Sequence, residues 1–219
     1  DGSAEPFVFL IDCAGIEVLD TPRDVIKVLK PIEFVDGDKI ARLLPADGCQ
    51  FSFEIDFAPR LDVQQTYELD LDASAFKRFI SRARTFGFLE DVDKLRAMGL
   101  ARGGSLENAV VISGDKIMNK GGLRYTDELV RHKVLDAVGD LYHVFGAVVL
   151  DIGDLRHLAF LGRRVEGAGQ GRNPKRAGTY MTQGSFLFNP PMRTGLLRAA
   201  RTRRQRPDSS RCRRVTGIA

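Results

Sequence analysis

The sequence predicts an α+β fold, a two-layer sandwich of one sheet and covering helices, followed by an irregular basic extension. Three observations support this class. Residues 25–57 alternate apolar and polar side chains, residues 72–98 place apolar side chains at helical spacing, and a longer amphipathic segment follows Thr126. Strands followed by helices that cover one sheet face typically form α+β folds. With 43% hydrophobic residues in 219, the chain can bury one good core or two small ones.

The first predicted element is a helix near Pro6. Proline is favoured in a first helical turn, and Asp1 or Ser3 can serve as the N-cap before the apolar run from Phe7 to Ile11.

Antiparallel strands are predicted next, because the apolar period changes to two. The alternating positions are Ile26, Val28, Ile32 and Phe34 before the turn sequence Asp36-Gly37-Asp38, and Phe51, Phe53, Ile55 and Phe57 after it. Helical spacing then returns in two short segments, and a hairpin follows. The first helical segment has Phe76, Phe79 and Ile80 after Asp72 and Ser74, and the second has Val92, Leu95 and Met98 before Gly99. The hairpin comprises residues 110–112 and 116–118 around Ser113-Gly114-Asp115.

Composition limits the class and location of the protein. No stretch approaches the roughly 20 apolar residues of a membrane span, and residues 1–12 lack a signal-type pattern, so a cytoplasmic location is expected. A monomer is expected as well. Three widely spaced cysteines argue against a disulfide framework and against a cysteine zinc cage.

Charge divides the chain into two parts. From Arg163 onward there are 14 Lys or Arg against two acids, a balance of +12, whereas the remaining 19 basic and 27 acidic residues give −8. The basic part is rich in Arg, Gly, Ser, Thr and Pro and shows little periodicity, which predicts irregular structure.

A polar ridge on the last predicted helix, formed by His132, Asp136 and Asp140, is the main candidate for chemistry. A helix from Thr126 to about Tyr142 puts these three side chains opposite an apolar stripe made of Val130, Val134, Ala137 and Leu141. An imidazole and a carboxylate one turn apart can both reach one zinc ion. The same spacing also describes an ordinary solvated helix face, so spacing alone leaves both interpretations open.

The wider sequence around the polar ridge resembles a known family. The segment Arg131-His132-Lys133-x-Leu135-Asp136-Ala137-x-Gly139-Asp140, with Arg84-Thr85-Phe86-Gly87-Phe88 and Gly103-Gly104-Ser105 upstream, is similar to the zinc-dependent UDP-3-O-acyl-N-acetylglucosamine deacetylases of Gram-negative lipid A synthesis. The resemblance covers residues 1 to about 142. That family has two similar α+β halves with the active site between them. The resemblance therefore implies that residues 1–24 are a remnant of the first domain, residues 25–150 the second domain, and residues 151–219 a basic, disordered or divergent tail.

The resemblance also implies residue roles. His132 and Asp136 would be zinc ligands, Lys133 would contact substrate near the diphosphate or the reaction centre, and Asp140 would pair with the general-acid histidine. Thr85 would help to hold the oxyanion of the tetrahedral intermediate, although its hydroxyl is equally suited to a turn or capping hydrogen bond.

Substrate contacts follow from the same resemblance. Residues 89–112 would form the passage for the acyl chain, with the candidates Leu95, Leu100, Ala101, Gly104, Leu106, Ala109 and Val111, although an ordinary core stripe has the same composition. Phe86 and Ser105 are further predicted substrate contacts. Asp56 and Phe57 match the uridine-binding strand end, and Lys39 matches a basic residue that faces the diphosphate. In the alternative interpretation Phe57 is a plain strand aromatic and Lys39 a plain turn lysine.

Two parts of the family's machinery have no counterpart in this sequence. The first zinc ligand and the general-base glutamate belong to a His-Thr-Val-Glu-His segment upstream of the residues matching Asp1, and the general-acid histidine belongs to a Lys-Ser-Gly-His segment. At the corresponding distance this chain has Arg156-His157-Leu158, so His157 is interpreted as an accidental match and His143 is unassigned. A divergent or frame-shifted tail and a weakly active or inactive enzyme are therefore expected. The alternatives are a non-catalytic remnant and a basic tail that binds nucleic acid or anionic surfaces.

Overall fold

A computed structural model describes residues 2–20, 25–26, 28–37, 39–46, 48–99, 101, 103–145, 157–165, 204–205 and 212–215. Its helices are α1 (Glu5–Ala14), α2 (Ala73–Ala75), which continues as a π-helical turn (Phe76–Ile80), α3 (Leu89–Ala97) and α4 (Glu128–Phe145). Its strands are β1 (Ile16–Leu19), β2 (Val25–Ile26), β3 (Ile32–Asp36), β4 (Lys39–Leu44), β5 (Gly48–Asp56), β6 (Gln64–Asp70), β7 (Phe86–Phe88), β8 (Val110–Ser113), β9 (Lys116–Ile117), β10 (His157–Val165), β11 (Arg204–Gln205) and β12 (Cys212–Val215). Sheets and helices together confirm the predicted α+β class. Within these ranges no helix has both the length and the apolar content needed to cross a bilayer.

The main sheet has five strands in the order β3-β4-β10-β5-β6. Neighbours are antiparallel except β10 and β5, which run parallel. In β5 the side chains alternate as predicted, since Phe51, Phe53 and Ile55 are buried while Ser52 and Glu54 are only partly covered. This alternation directs one face of β5 into the core.

Helix α4 covers that face of the sheet. It packs against β5, β6 and the π-helical turn. Its predicted apolar stripe is confirmed, because all four members are completely buried: Val130, Val134, Ala137 and Leu141. The helix begins at Glu128, two residues later than predicted, since Thr126 lies in a turn in which the Glu128 N–H donates to the Tyr125 carbonyl at 3.1 Å.

Helix α1 is present as predicted, but its predicted cap is wrong. The N-cap residue is Ala4, which makes no side-chain capping bond. Ser3 is buried, and its hydroxyl accepts a hydrogen bond from Arg124 Nη1 at 3.3 Å, so it is turned toward the segment before α4. Asp1 lies outside the described residues.

The shorter elements agree with their local signals. Asp72 caps α2 by accepting a hydrogen bond from the Ala75 N–H at 2.7 Å, and α3 ends before Gly99, whose φ of 77° favours glycine. The predicted hairpin is β8 and β9, which turn at Gly114, and β7 pairs with β8 in parallel to form a small three-stranded sheet. The π-helical turn was not predicted.

Residues 151–219 differ in part from the predicted irregular extension. The described segments of this region form β10 in the middle of the main sheet, β11 paired with β2, and β12 paired with β1. The rest of the region lies outside the described residues, and with it most of the predicted tail.

Gly2 lies where a larger residue does not fit. A Cβ atom there would meet the Asn108 carbonyl oxygen at 2.5 Å and Thr85 Cγ2 at 2.6 Å. Gly2→Ala is therefore expected to lower the free energy of unfolding by about 1 to 3 kcal/mol, as overpacking does. Urea unfolding would measure the loss. Gly121→Ala is the matched control because nothing lies within 4 Å of its added Cβ, and equal stability of the two variants would contradict the expectation.

Candidate active site

The polar ridge is inside the protein rather than on a solvated helix face. His132 and Asp140 are each 5% exposed, and Asp136 lies between them, partly buried. The helical spacing brings His132 Nε2 to 3.4 Å from Asp136 Oδ1. The alternative interpretation, an ordinary solvated helix face, therefore does not describe the polar ridge.

The environment of His132 favours the neutral imidazole. Burial lowers the pKa of His132, and this effect outweighs the raising effect of the Asp136 carboxylate. Its Nδ1 lies 3.0 Å from the Ala83 carbonyl oxygen, which can only accept, so in the neutral ring Nδ1 carries the proton. The lone pair of Nε2 is then directed toward Asp136. A neutral imidazole fixed by a backbone carbonyl is the usual state of a metal-binding histidine.

The spacing of these two atoms fits a zinc ion. Two ligands bound at about 2.0 to 2.1 Å and at a tetrahedral angle are separated by roughly 3.4 Å. The observed separation of Nε2 and Oδ1 is the same, 3.4 Å. Across the described residues, however, no group of three or more His, Cys, Asp or Glu side chains is placed to hold a metal ion. The polar ridge therefore offers two ligands of a set that needs at least one more.

Lys133 is the basic group next to this pair. Its side chain is 1% exposed, and Nζ donates to Asp136 Oδ2 at 2.9 Å. This contact occupies the Asp136 oxygen that does not face His132, so one carboxylate bridges the imidazole and the ammonium group. Lys133 Nζ also lies 4.9 Å from the centre of the Phe86 ring.

An apolar cavity of about 680 Å³ lies beside the polar ridge. Its walls come from β7, α3, the loop before β8 and the β8–β9 hairpin. The lining residues include the predicted Thr85, Phe86, Leu95, Ala101, Gly104, Ser105, Leu106, Ala109 and Val111. Phe86 joins the two features, because its ring also contacts the His132 ring edge-on with the centroids 6.4 Å apart. Predicted Leu100 lies outside the described residues.

Thr85 is held in place from both sides. Its N–H donates to the Gly2 carbonyl at 2.8 Å, and its carbonyl accepts from the Val110 N–H at 2.8 Å. The residue therefore has a fixed backbone at the cavity wall. Its catalytic role stays a prediction.

Sequence reasoning missed a buried ion pair that connects Thr85 to α4. Glu128 is completely buried and accepts hydrogen bonds from the Arg84 backbone N–H and Nε, each at 2.9 Å, and from Nη2 at 3.0 Å. The Arg124 N–H adds a fourth bond at 2.6 Å. Because Arg84 precedes Thr85 and Glu128 lies one turn before His132, this pair fixes the loop to the helix that carries the polar ridge.

The same pair predicts a pH dependence of stability. Burial alone would raise the pKa of Glu128, but the hydrogen bonds from Arg84 and Arg124 outweigh it and hold that pKa below the ordinary 4.5. As pH falls, the Glu128 carboxylate is therefore protonated in the unfolded chain before it is protonated in the folded protein. The stability that Glu128 contributes is present above about pH 4.5 and is lost below it. Urea unfolding should show that the free energy of unfolding of the wild type exceeds that of Glu128→Gln at pH 5, and that this difference shrinks toward pH 3. A constant difference would contradict this.

Comparison with known proteins identifies the family. The family model described as UDP-3-O-acyl N-acetylglycosamine deacetylase matches residues 1–152. The chain belongs to this deacetylase family. A UDP-3-O-acyl-N-acetylglucosamine deacetylase of Phenylobacterium zucineum (strain HLK1) is 53% identical over 150 residues, which are 68% of this chain and 51% of that protein. One of Anaeromyxobacter dehalogenans (strain 2CP-C) is 51% identical over 150 residues, 68% of this chain and 48% of that protein. The chain spans about half the length of the curated relatives it matches.

Membership of the deacetylase family confirms the resemblance drawn from the sequence. The structure brings His132, Lys133 and Asp136 together and places Phe86 between them and the cavity. Asp140 is buried one helical turn beyond Asp136, and its pairing with a general acid stays a prediction. The side chains of His143 and His157 lie outside the described part of the chain.

Of three further predicted substrate contacts, Lys39 and Asp56 lie in turns of the main sheet, and Phe57 contacts this group through Phe86. Lys39 faces Asp36 across the β3–β4 turn, and Asp56 Oδ1 accepts the Ala58 N–H at 2.9 Å in the turn after β5. Phe57 is completely buried, edge-on to Phe86 and Phe88 with centroids 5.6 and 5.8 Å away. Complete burial places this ring in the core of the described chain, and its substrate contact stays a prediction. For Lys39 and Asp56 the substrate role stays a prediction.

Proposed function

We propose that this chain carries part of the machinery for zinc-dependent hydrolysis of UDP-3-O-acyl-N-acetylglucosamine, giving UDP-3-O-acyl-glucosamine and acetate. One observation carries the proposal. A buried, neutral imidazole and a carboxylate oxygen lie 3.4 Å apart and contact, through Phe86, a large apolar cavity. A site for a cation beside a site for an alkyl chain matches a substrate that has both an amide to be hydrolysed and an acyl chain.

Each residue then has a defined task. His132 Nε2 and Asp136 Oδ1 would hold Zn²⁺, which when bound would supply Lewis-acid polarisation of the acetamide carbonyl and lower the pKa of a water molecule. Lys133 fixes the Asp136 carboxylate through Oδ2, which leaves Oδ1 for the metal. Thr85, whose backbone is fixed by two hydrogen bonds, would donate from its hydroxyl to the oxygen on which negative charge develops.

The acyl chain is proposed to occupy the apolar cavity. Burial of each methylene group contributes about 0.8 kcal/mol, so a long chain would dominate the affinity. UDP-3-O-acyl-N-acetylglucosamine should therefore bind at least about tenfold more tightly than UDP-N-acetylglucosamine, a difference that three buried methylenes would already exceed. Calorimetric titration with both compounds tests the proposal, and equal affinities would reject it.

A cavity-filling substitution sharpens this test. Ala109→Phe adds a ring to the cavity wall and should remove most of the preference for the acylated compound, since the ring takes the space of the chain. Ala75→Phe is a control at a partly exposed position outside the cavity. A preference that survives in Ala109→Phe would place the acyl chain elsewhere.

We further propose that this chain alone is a weakly active or inactive form. Two ligands leave zinc under-coordinated, and no general base or general acid is assigned among the described residues. The zinc-loaded chain should release acetate from the substrate only at the background rate. Turnover above background that is lost in His132→Ala would show that the catalytic set is complete.

The remaining expectations from the sequence belong to the same proposal: a cytoplasmic location, a monomer, and weak non-specific binding of polyanions by residues 163–219. Binding to a DNA oligonucleotide that weakens with salt and disappears when residues 163–219 are deleted would support the last point. Binding that persists after the deletion would reject it.

A further inference from the structure

We infer that Arg60 is a positioning residue that holds α3 in place as one wall of the apolar cavity; the consequence for ligand binding rests on the proposed acyl role of that cavity. Arg60 lies in the turn after β5, outside the cavity lining and away from the polar ridge. No residue role drawn from the family resemblance includes it.

The turn that carries Arg60 is anchored to the sheet. The Arg60 N–H donates to the Phe57 carbonyl at 2.9 Å, and the Leu61 N–H donates to the same oxygen at 3.1 Å. Phe57 is completely buried and Leu61 is buried as well. The backbone of Arg60 therefore starts from a rigid part of the core.

The Arg60 side chain reaches from this turn to the first turn of α3. Its Nη2 lies 2.6 Å from Asp91 Oδ2 and 3.6 Å from Glu90 Oε2. The guanidinium group also lies over the Phe88 ring, with Cζ 3.7 Å from the ring centre. Because Phe88 precedes α3 directly, one side chain contacts both the helix start and the strand that leads into it.

Glu90 extends this connection to the opposite wall. Its Oε1 accepts the Gly114 N–H at 3.2 Å, which ties α3 to the turn of the β8–β9 hairpin. The turn after β5, helix α3 and the hairpin are thus linked through polar groups outside the cavity. On the cavity side, α3 presents three apolar side chains together with Arg96.

The position of α3 decides the shape of the cavity. Leu89, Val92 and Leu95 line it from this helix, and no residue of α3 is fully buried. A helix without a buried side chain has little hydrophobic contact to hold it, so its polar contacts determine how firmly it stays in place. Without Arg60, α3 is expected to move outward more often and to release the alkyl chain.

Hydrogen exchange tests the hold on α3 directly. In Arg60→Ala the amides of residues 89–97 should exchange about fivefold faster than in the wild type, the combined effect expected of a partly exposed ion pair and a cation–π contact. Amides of residues 128–141 should keep their rates, which shows that the variant is folded. Arg42→Ala is the matched control, because Arg42 also forms a partly exposed ion pair, with Glu33 on the sheet edge. Unchanged exchange in residues 89–97, or an equal change in Arg42→Ala, would overturn the inference.

Binding of cis-parinaric acid, an 18-carbon fluorescent fatty acid, provides the functional readout. Its affinity should fall about fivefold in Arg60→Ala, and Arg60→Lys should recover part of the loss, since lysine keeps the charge without the planar stacking. In 0.5 M NaCl the affinity of the wild type should fall toward that of Arg60→Ala, because salt screens the ion pairs of Arg60. If wild-type protein fails to bind the probe while exchange in residues 89–97 still responds to Arg60→Ala, the acyl role of the cavity is rejected and the positioning role of Arg60 is retained.

Discussion

Replacing Glu128 by alanine is expected to destabilise the folded protein by about 3 to 5 kcal/mol, the usual cost of removing one partner of a buried ion pair. Glu128 is completely buried and receives three hydrogen bonds from Arg84 and one from Arg124. Its removal leaves the nearly buried Arg84 guanidinium without its carboxylate. Chemical denaturation at pH 7 measures the loss.

Two further variants show whether the stability loss in Glu128→Ala comes from the buried ion pair rather than from the removal of any carboxylate. Glu68→Ala removes a carboxylate from an exposed position on β6 and should change the free energy of unfolding by less than about 0.5 kcal/mol. The double variant Arg84→Met with Glu128→Leu should be more stable than Glu128→Ala, because it leaves no buried charge unpaired. A loss below about 1 kcal/mol in Glu128→Ala would contradict the role given to this pair.

Replacing His132 by alanine is expected to lower the affinity for Zn²⁺ by at least about 100-fold, since even the loss of a group that only orients a ligand costs about 10-fold to 100-fold. Burial favours the neutral imidazole, and its Nε2 lies 3.4 Å from Asp136 Oδ1, so its removal deletes one of the two proposed ligands. Competition against a chromophoric chelator measures the affinity.

Variants of the carboxylates complete the test. Asp136→Asn should also weaken zinc binding strongly, because it removes the charged oxygen beside His132. Asp115→Asn is the control, since Asp115 is exposed in the β8–β9 turn. Wild-type affinity in both His132→Ala and Asp136→Asn would show that zinc binds at another place.

Much of the fold was predictable because its signals are local. The alternation at Phe51, Phe53 and Ile55 predicted β5, and the stripe from Val130 to Leu141 predicted the buried face of α4. Turn and cap signals at Asp72, Gly99 and Gly114 were confirmed as well. Each depends on residues a few positions apart, so neighbours in sequence determine them.

The rest depends on contacts that no local pattern records. The Arg84–Glu128 pair joins residues 44 positions apart, and Glu128 looked like an ordinary acid in a first helical turn. Strand β10 inserts between β4 and β5, although its residues lie in the segment 151–219, for which a tail was predicted. The complete burial of Phe57 likewise comes from tertiary packing, because alternation in β5 predicts only which face of the strand turns inward. Burial of a side chain is decided by the assembled core, which sequence spacing alone does not describe.

X-ray absorption at the zinc edge tests the central claim most directly, because it identifies the atoms bound to the metal. For the zinc-loaded wild type we predict one imidazole and otherwise oxygen ligands at about 2.0 to 2.2 Å, and loss of the imidazole scattering in His132→Ala. Sulfur scattering at about 2.3 Å, or an imidazole contribution that is unchanged in His132→Ala, would contradict the assignment of His132 and Asp136 as the metal site.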